Sequence, residues 1–179
     1  MASHLALLKG INVGGRNLVK MADLRELFLG LKFENVSTIL QSGNVVFTSV
    51  IPSESEIESV LETAFEERFG FKVDLMVRSA FHLKSLIEAN PFKDEAKADP
   101  SHLLIHFFRQ PPNPENLAAV QAAIRGPEKT CPIGKEVYVF YPDGIGTSTV
   151  TRTPGWNKLM GGSTARNWNT VVKLAELLD

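Results

Sequence analysis

Two short strand-forming runs, Val36 to Leu40 and Val45 to Thr48, are separated only by Gln41-Ser42-Gly43-Asn44. Those four residues are turn chemistry. So short a gap joins the two runs as an antiparallel hairpin, and the neighbouring segments have to be arranged around it. Upstream, the apolar run Leu5 to Leu8 ends in Lys9-Gly10 and reads as a buried strand. The glycine-punctuated stretch Gly10-Ile11-Asn12-Val13-Gly14-Gly15-Arg16-Asn17 follows, and then Met21, Leu24, Phe28 and Leu31 recur at helical spacing. Downstream, Ser53-Glu54-Ser55-Glu56 forms a capping box. The stripe Ile57, Val60, Leu61, Ala64, Phe65, Phe69 continues it as a helix that Gly70 stops. Lys72 to Val77 alternates as a fourth strand. The order β-α-β-β-α-β is that of a ferredoxin-like fold, with two helices on one face of a four-stranded antiparallel sheet.

The second half repeats the theme less clearly. Ser79 caps a helix carrying Leu83, Leu86 and Ile87, which ends before Pro91. Lys93 to Pro100 reads as a charged surface loop or hinge, and Leu103 to Phe108 as a fifth strand. Leu117 to Ile124 is an Ala-rich helix, Thr130 to Ile133 an edge strand given Pro132, and Val137 to Tyr141 a further strand. Asn157 to Met160 suits a short helix. The last helix is predicted to start within Ser163 to Thr170, with Thr164 as its N-cap. The resulting order, α-β-α-β-β-α, is close to that of the first half, without a residue-level repeat. The expected architecture is α+β: a ferredoxin-like N-terminal lobe over residues 1–78, packed against a topologically similar α+β lobe over residues 79–179 as one compact unit.

Composition narrows the function classes. With 44% hydrophobic and 22% charged residues and a formal net charge of -1, the chain reads as an ordinary globular protein with no global pull toward nucleic acid or membrane. No apolar run approaches the ~18 residues of a membrane span, and no signal-type segment opens the chain, so a cytoplasmic location is expected by default. Cys131 is the single cysteine. It excludes an internal disulfide and reads as a structural thiol.

Five stretches together resemble a bacterial family known only as domain of unknown function 1697. They are Leu7-Leu8-Lys9-Gly10-Ile11-Asn12-Val13-Gly14-Gly15, Gln41-Ser42-Gly43-Asn44-Val45-Val46-Phe47, Asn90-Pro91-Phe92, Asp143-Gly144-Ile145-Gly146 and Thr164-Ala165-Arg166-Asn167-Trp168-Asn169-Thr170. The resemblance implies a compact α+β protein of ferredoxin-like character and no assigned activity. In that family Asp-Gly-Ile-Gly usually continues with Arg-Ser-Lys, whereas Thr147-Ser148-Thr149 stand here.

Three segments carry candidate ligand-binding residues. The Gly10 to Asn17 loop, with Lys9, Asn12, Gly14, Gly15 and Arg16, suits a phosphate cradle, because strand-to-helix glycine loops expose backbone N–H groups. Its glycines equally serve positive φ and close packing, and the loop is neither a Walker loop nor a dinucleotide fingerprint. Gln41, Ser42 and Asn44 either present amides to a ligand or close a hairpin with locally satisfied side chains. In the terminal helix, Trp168, Val171, Val172, Ala175 and Leu178 share an apolar face, opposite Arg166, Asn169, Thr170 and Lys173. Arg166, Asn167, Asn169 and Lys173 either bind an anion or acidic partner, form a solvated helix face, or tie the helix to nearby loops by buried hydrogen bonds. Trp168 reads as core, and Trp156 as either a ligand contact or lid packing.

No metal site is expected. His102 and His106 share a strand face but lie ~13 Å apart at ~3.3 Å per residue, and His4 and His82 have no clear sequence partners. No catalytic cluster and no cofactor motif is legible. An RNA-recognition sheet would need aromatics on its central strands, and only Phe47 qualifies. The leading expectation is binding of a small anionic or nucleotide-like ligand by the Gly10 loop, the Gln41 turn and the Arg166 helix. The alternatives are a non-catalytic interaction or dimerisation module and, third, weak nucleic-acid binding.

Overall fold

The computed structural model describes residues 1–40 and 43–178. Gln41 and Ser42, two of the expected ligand-binding residues, lie outside the described residues. The chain divides into two compact units, one of Met1–Glu88 with Lys173–Asp179, the other of Ala89–Val172.

The first unit runs β1 (Ala2–Leu8), α1 (Met21–Gly30), β2 (Glu34–Ile39), β3 (Asn44–Ser49), α2 (Glu54–Phe69), β4 (Leu75–Ser79) and α3 (Ala80–Glu88). Its strands form one antiparallel sheet in the order β2-β3-β1-β4. Ala6, Leu8, Val45, Phe47, Leu75 and Val77 point to one face, where Leu24 and Phe28 of α1 and Ile57, Leu61 and Phe65 of α2 pack on them. Full burial of a side chain such as Phe65 stabilises by roughly 2–3 kcal/mol. Leu5, Leu7, Val46 and Met76, on the opposite face, are buried as well. Burial on both faces explains why these strands read as continuous apolar runs rather than alternating ones. Ser53 caps α2: the Glu56 N–H donates to Ser53 Oγ at 3.3 Å, and Gly70 closes α2 in the left-handed region. Such a cap stabilises by about 1 kcal/mol.

The second unit runs α4 (Lys93–Ala98), β5 (Leu103–Phe108), α5 (Pro114–Ala123), β6 (Lys129–Ile133), β7 (Glu136–Phe140), a 3-10 turn (Val150–Arg152), α6 (Trp156–Met160) and β8 (Ser163–Asn167). The final helix, α7 (Trp168–Glu176), starts here, and its end clusters with the first unit. The second sheet is also antiparallel, in the order β6-β7-β5-β8. The protein is therefore a mixed α+β fold with two four-stranded antiparallel sheets in two similar halves. Among the described residues no helix is long and apolar enough to cross a membrane.

Three local expectations are corrected. Lys93 to Ala98 is helical rather than loop, but it buries no residue and so has no apolar stripe to reveal it. Trp156 is 4% exposed and belongs to the core with Phe108, Val120, Val139 and Met160. Most consequentially, Ser163 to Asn167 is a strand. It pairs with β5 in a register that sets Ile105 against Arg166, and the helix begins only at Trp168, with the Thr170 N–H donating to Asn167 Oδ1 at 2.9 Å. Backbone partners on β5, not local propensity, decide this element.

That strand exposes a residue-level repeat the bare sequence hides. Arg78 faces Leu5 in the first sheet as Arg166 faces Ile105 in the second. Each arginine donates from Nη1 to the carbonyl just before it, Val77 at 2.7 Å and Ala165 at 2.8 Å. Each is followed by a residue that caps the next helix: Ser79 Oγ accepts from the His82 N–H at 3.2 Å, and Asn167 does the same for α7.

Candidate functional site

Five of the residues singled out from the sequence, Lys9, Asn12, Asn44, Arg166 and Asn167, have their side chains engaged by the chain itself. In the Gly10 to Asn17 loop, Asn12 Nδ2 donates to the Val19 carbonyl (3.0 Å) and Asn12 Oδ1 accepts from the Val19 N–H (2.8 Å). Asn17 Nδ2 donates to the Gly10 carbonyl, and the Arg16 N–H to that of Val13. Gly10, Asn12, Gly14, Gly15 and Asn17 all hold positive φ, so the loop is a tight, internally bonded excursion. Lys9 lies 3.9 Å from Asp74, and Arg16 is exposed. Buried Asn44 donates to the Ile39 carbonyl at 3.1 Å and closes the hairpin from within. Gly43 is bound to this place: its backbone accepts from the Leu8 N–H at 2.8 Å, and a Cβ there would stand 2.9 Å from Leu8 Cβ.

Arg166 does not stand on a solvent-facing helix. Its Nη1 donates to Thr164 Oγ1 at 2.9 Å as well as to Ala165, and burial pulls its guanidinium down to about 10. Asn167 is the helix cap, Asn169 and Lys173 are exposed, and Trp168 is half-buried. Thr147, which stands where the family usually has arginine, donates to the Asp143 carbonyl and ties that turn, and Ser148 donates to Glu128.

Two titratable clusters had no signature in the sequence because their members lie far apart along it. Glu54, at the start of α2, accepts from the Ser79 N–H (2.9 Å) and from His82 Nδ1 (3.3 Å). Burial pushes its carboxyl up, but the His82 ring and the Ser79 N–H overrule this, with the charges of His82 and Arg78, and hold it at about 2. In the second unit, His106 Nδ1 lies 3.1 Å from Ser163 Oγ, which itself donates to the Met160 carbonyl at 2.7 Å. Nδ1 is thus the donor. Nε2 is buried without a hydrogen-bond partner, and burial pulls the ring down to about 4. Both clusters tie elements together. Among the described residues, no group of three or more His, Cys, Asp or Glu side chains is placed to hold a metal ion.

An opening of about 450 Å³ between α1 and α2 carries two carboxylates, Glu26 and Glu67; the opening with a cationic lining lies between α5 and the segment from the 3-10 turn to α6. One lobe, about 510 Å³, has Phe108, Pro112, Val120 and Leu159 as apolar walls, with Asn113, Asn116 and Lys158 among its polar lining. A second lobe, about 390 Å³, is lined by Arg125, Arg152, Thr149 and Thr153. Ala123 and Pro154 border both, so the lobes adjoin one another. The lining holds three cations and no carboxylate, and none of these cations is in an ion pair among the described residues. Both volumes fall within the usual range for small-molecule sites.

Local sequence explains the opening. Between β7 and β8 the chain carries Pro142, Gly144, Gly146, Pro154 and Gly155, which forbid one continuous helix. Gly155 holds φ 82° at the start of α6, and a Cβ there would stand 3.0 Å from Val120 Cγ2. Sequence reading missed the site because Arg125 and Arg152 sit 27 positions apart in unrelated loops.

Comparison with known proteins places the chain without supplying chemistry. The sequence pattern of the family described as "Protein of unknown function (DUF1697)" matches residues 1–138. The match takes in the Leu7, Gln41 and Asn90 motifs. A solved structure, that of the conserved bacterial protein SP0830 from Streptococcus pneumoniae, is similar over 99% of both chains, with a TM-score of 0.79 and 25% identity. None of the curated proteins matches the chain significantly.

Proposed function

The chain belongs to this family of unknown function, which has no assigned activity, and from that premise we propose that it binds a small anionic ligand in the groove of its second unit. One observation carries the reading: Arg125, Arg152 and Lys158 line two adjoining lobes whose lining includes no carboxylate. Two guanidinium groups and nearby threonine hydroxyls suit phosphate or carboxylate oxygens, since arginine presents a rigid fork of donors. The ligand is placed here rather than at the Gly10 loop or Arg166, because Asn12, Asn44, Asn167 and Arg166 already bond to the chain's own backbone. The role is one of binding. We further infer that each unit is ferredoxin-like, a reading supported by the strand orders β2-β3-β1-β4 and β6-β7-β5-β8.

Calorimetric titration of the full chain with inorganic pyrophosphate tests the site. Binding is expected, weakening with salt and falling more than tenfold in Arg125→Ala/Arg152→Ala. Wild-type protein that takes up no pyrophosphate, or a double variant that binds as well, removes the proposal.

A second reading rests on a different region. Val13 and Leu18 are 64% and 72% exposed on the internally bonded Gly10 loop, a stiff presentation of apolar side chains that suits docking to a second copy of the chain. Sedimentation across a range of concentrations would then show self-association that Val13→Ser/Leu18→Ser abolishes. A wild-type chain that stays monomeric throughout ends this reading.

A further inference from the structure

We infer that the occupant of the groove is a nucleoside phosphate, with its phosphates between Arg125 and Arg152 and its base in the lobe walled by Phe108, Pro112 and Leu159. This inference rests on the anion-binding reading above. It adds that the two lobes divide the ligand into chemically different parts. The smaller lobe carries both guanidinium groups and two threonines. The larger is walled by proline, phenylalanine, valine and leucine side chains and carries the Asn113 and Asn116 amides. A bare inorganic anion would leave that apolar lobe filled with water. A sugar phosphate would bring hydroxyls to walls that offer few partners, at a cost for each unpaired group. A flat ring with apolar faces and polar edges meets both demands: its faces lie on the apolar walls, and its edge faces the Asn116 amide, which both donates and accepts, and the Asn113 Nδ2 donor, the Asn113 Oδ1 being engaged in capping α5. The shared border at Ala123 and Pro154 is where the linking sugar would lie. A flexible alkyl phosphate would satisfy the walls but not the amides, so it serves as the discriminating control.

The experiment compares adenosine diphosphate, inorganic pyrophosphate and hexyl phosphate by calorimetric titration of the full-length protein and of two variants. Adenosine diphosphate is expected to bind at least tenfold more tightly than either of the others. Ala119→Trp, which fills the larger lobe from an exposed position on α5, should erase that advantage while leaving pyrophosphate affinity in place. Arg125→Ala/Arg152→Ala should weaken all three, with unchanged circular dichroism showing that the fold persists. If adenosine diphosphate binds no better than pyrophosphate, or hexyl phosphate equals it, the nucleoside inference falls and the anion reading stands. If none of the three binds, both fall together.

Discussion

The connection from β3 to β4 and the connection from β7 to β8 occupy the same place in the order of their two units, yet they are built differently. The first is α2, a helix of 16 residues with a serine cap, a glycine stop and Ile57, Leu61 and Phe65 on the sheet. The second is broken into a turn, three residues of 3-10 helix and the five residues of α6. Where the helix is continuous, the sheet face is filled by packed side chains. Where it is broken, Val150, Trp156 and Met160 still fill the core beneath, and a groove opens beside α5. The candidate site is thus found where the repeat departs from its own plan. That is a familiar economy: regular elements hold the scaffold, and irregular ones carry the binding groups.

The sharpest way to break the comparison is through the two equivalent arginines. Arg78 is fully buried, 3.9 Å from the buried Glu58 carboxylate, which also accepts from the Val77 N–H. Arg78→Ala leaves that carboxylate buried beside no guanidinium, and should cost about 3–5 kcal/mol. Arg166→Ala removes charge-assisted bonds to Thr164 and Ala165 and should cost less, roughly 2–3 kcal/mol. Urea denaturation orders the two, and a larger loss for Arg166→Ala would show that the equivalence of position does not extend to energetics.

Acid should separate the units next. His106 is held near 4 instead of 6.5 by burial, so between those values the unfolded chain binds the proton that the folded one refuses. Its contribution is complete above pH 6.5 and is lost as pH falls toward 4, by up to about 3 kcal/mol. Burial lowers His4 in the same sense. Glu54, held near 2 instead of 4.5, acts in a lower window: its contribution is present above 4.5 and is lost as pH falls through 2. Stability measured against pH should therefore lose slope between 6.5 and 4 in His106→Phe, and between 4.5 and 2 in Glu54→Gln. A His106→Phe profile that overlays wild type would remove the assignment.

The smallest expected effect bears on the groove. Gly155→Ala forces a side chain into left-handed backbone and against Val120, and should cost about 1–2 kcal/mol. Thermal unfolding measures it. No loss would mean that α6 can shift away from α5, and the width of the groove would then not be set by this glycine.

How much of this was legible in the sequence follows from where the information resides. The residues of α2 carry their own start, stripe and stop, and β5 is found at Leu103–Phe108 as read. Ser163 to Asn167 carries neither an apolar stripe nor a run of β-branched residues, so only its pairing with β5 makes it a strand. That one element turned the expected polar helix face into a half-buried arginine bonded to its own strand, and a weak topological echo into a repeat. The expected cap, Thr164, lies inside β8, and Asn167, three residues on, caps α7 instead. The groove could not be read at all, because its cations converge only after α5 and α6 have been set side by side.

The path of α7 has a consequence for synthesis. Synthesis runs from the N-terminus, so residues 1–88 are made, and can begin to pair their strands, before residues 173–178. Yet the compact unit those residues form also includes Lys173 to Asp179, and Leu174, Ala175 and Leu178 are buried. The half translated first is therefore the half finished last. Until Lys173 to Leu178 have been made, that unit lacks its closing turn. A stop codon placed after Val172 would strike hardest at the part of the protein encoded furthest from it.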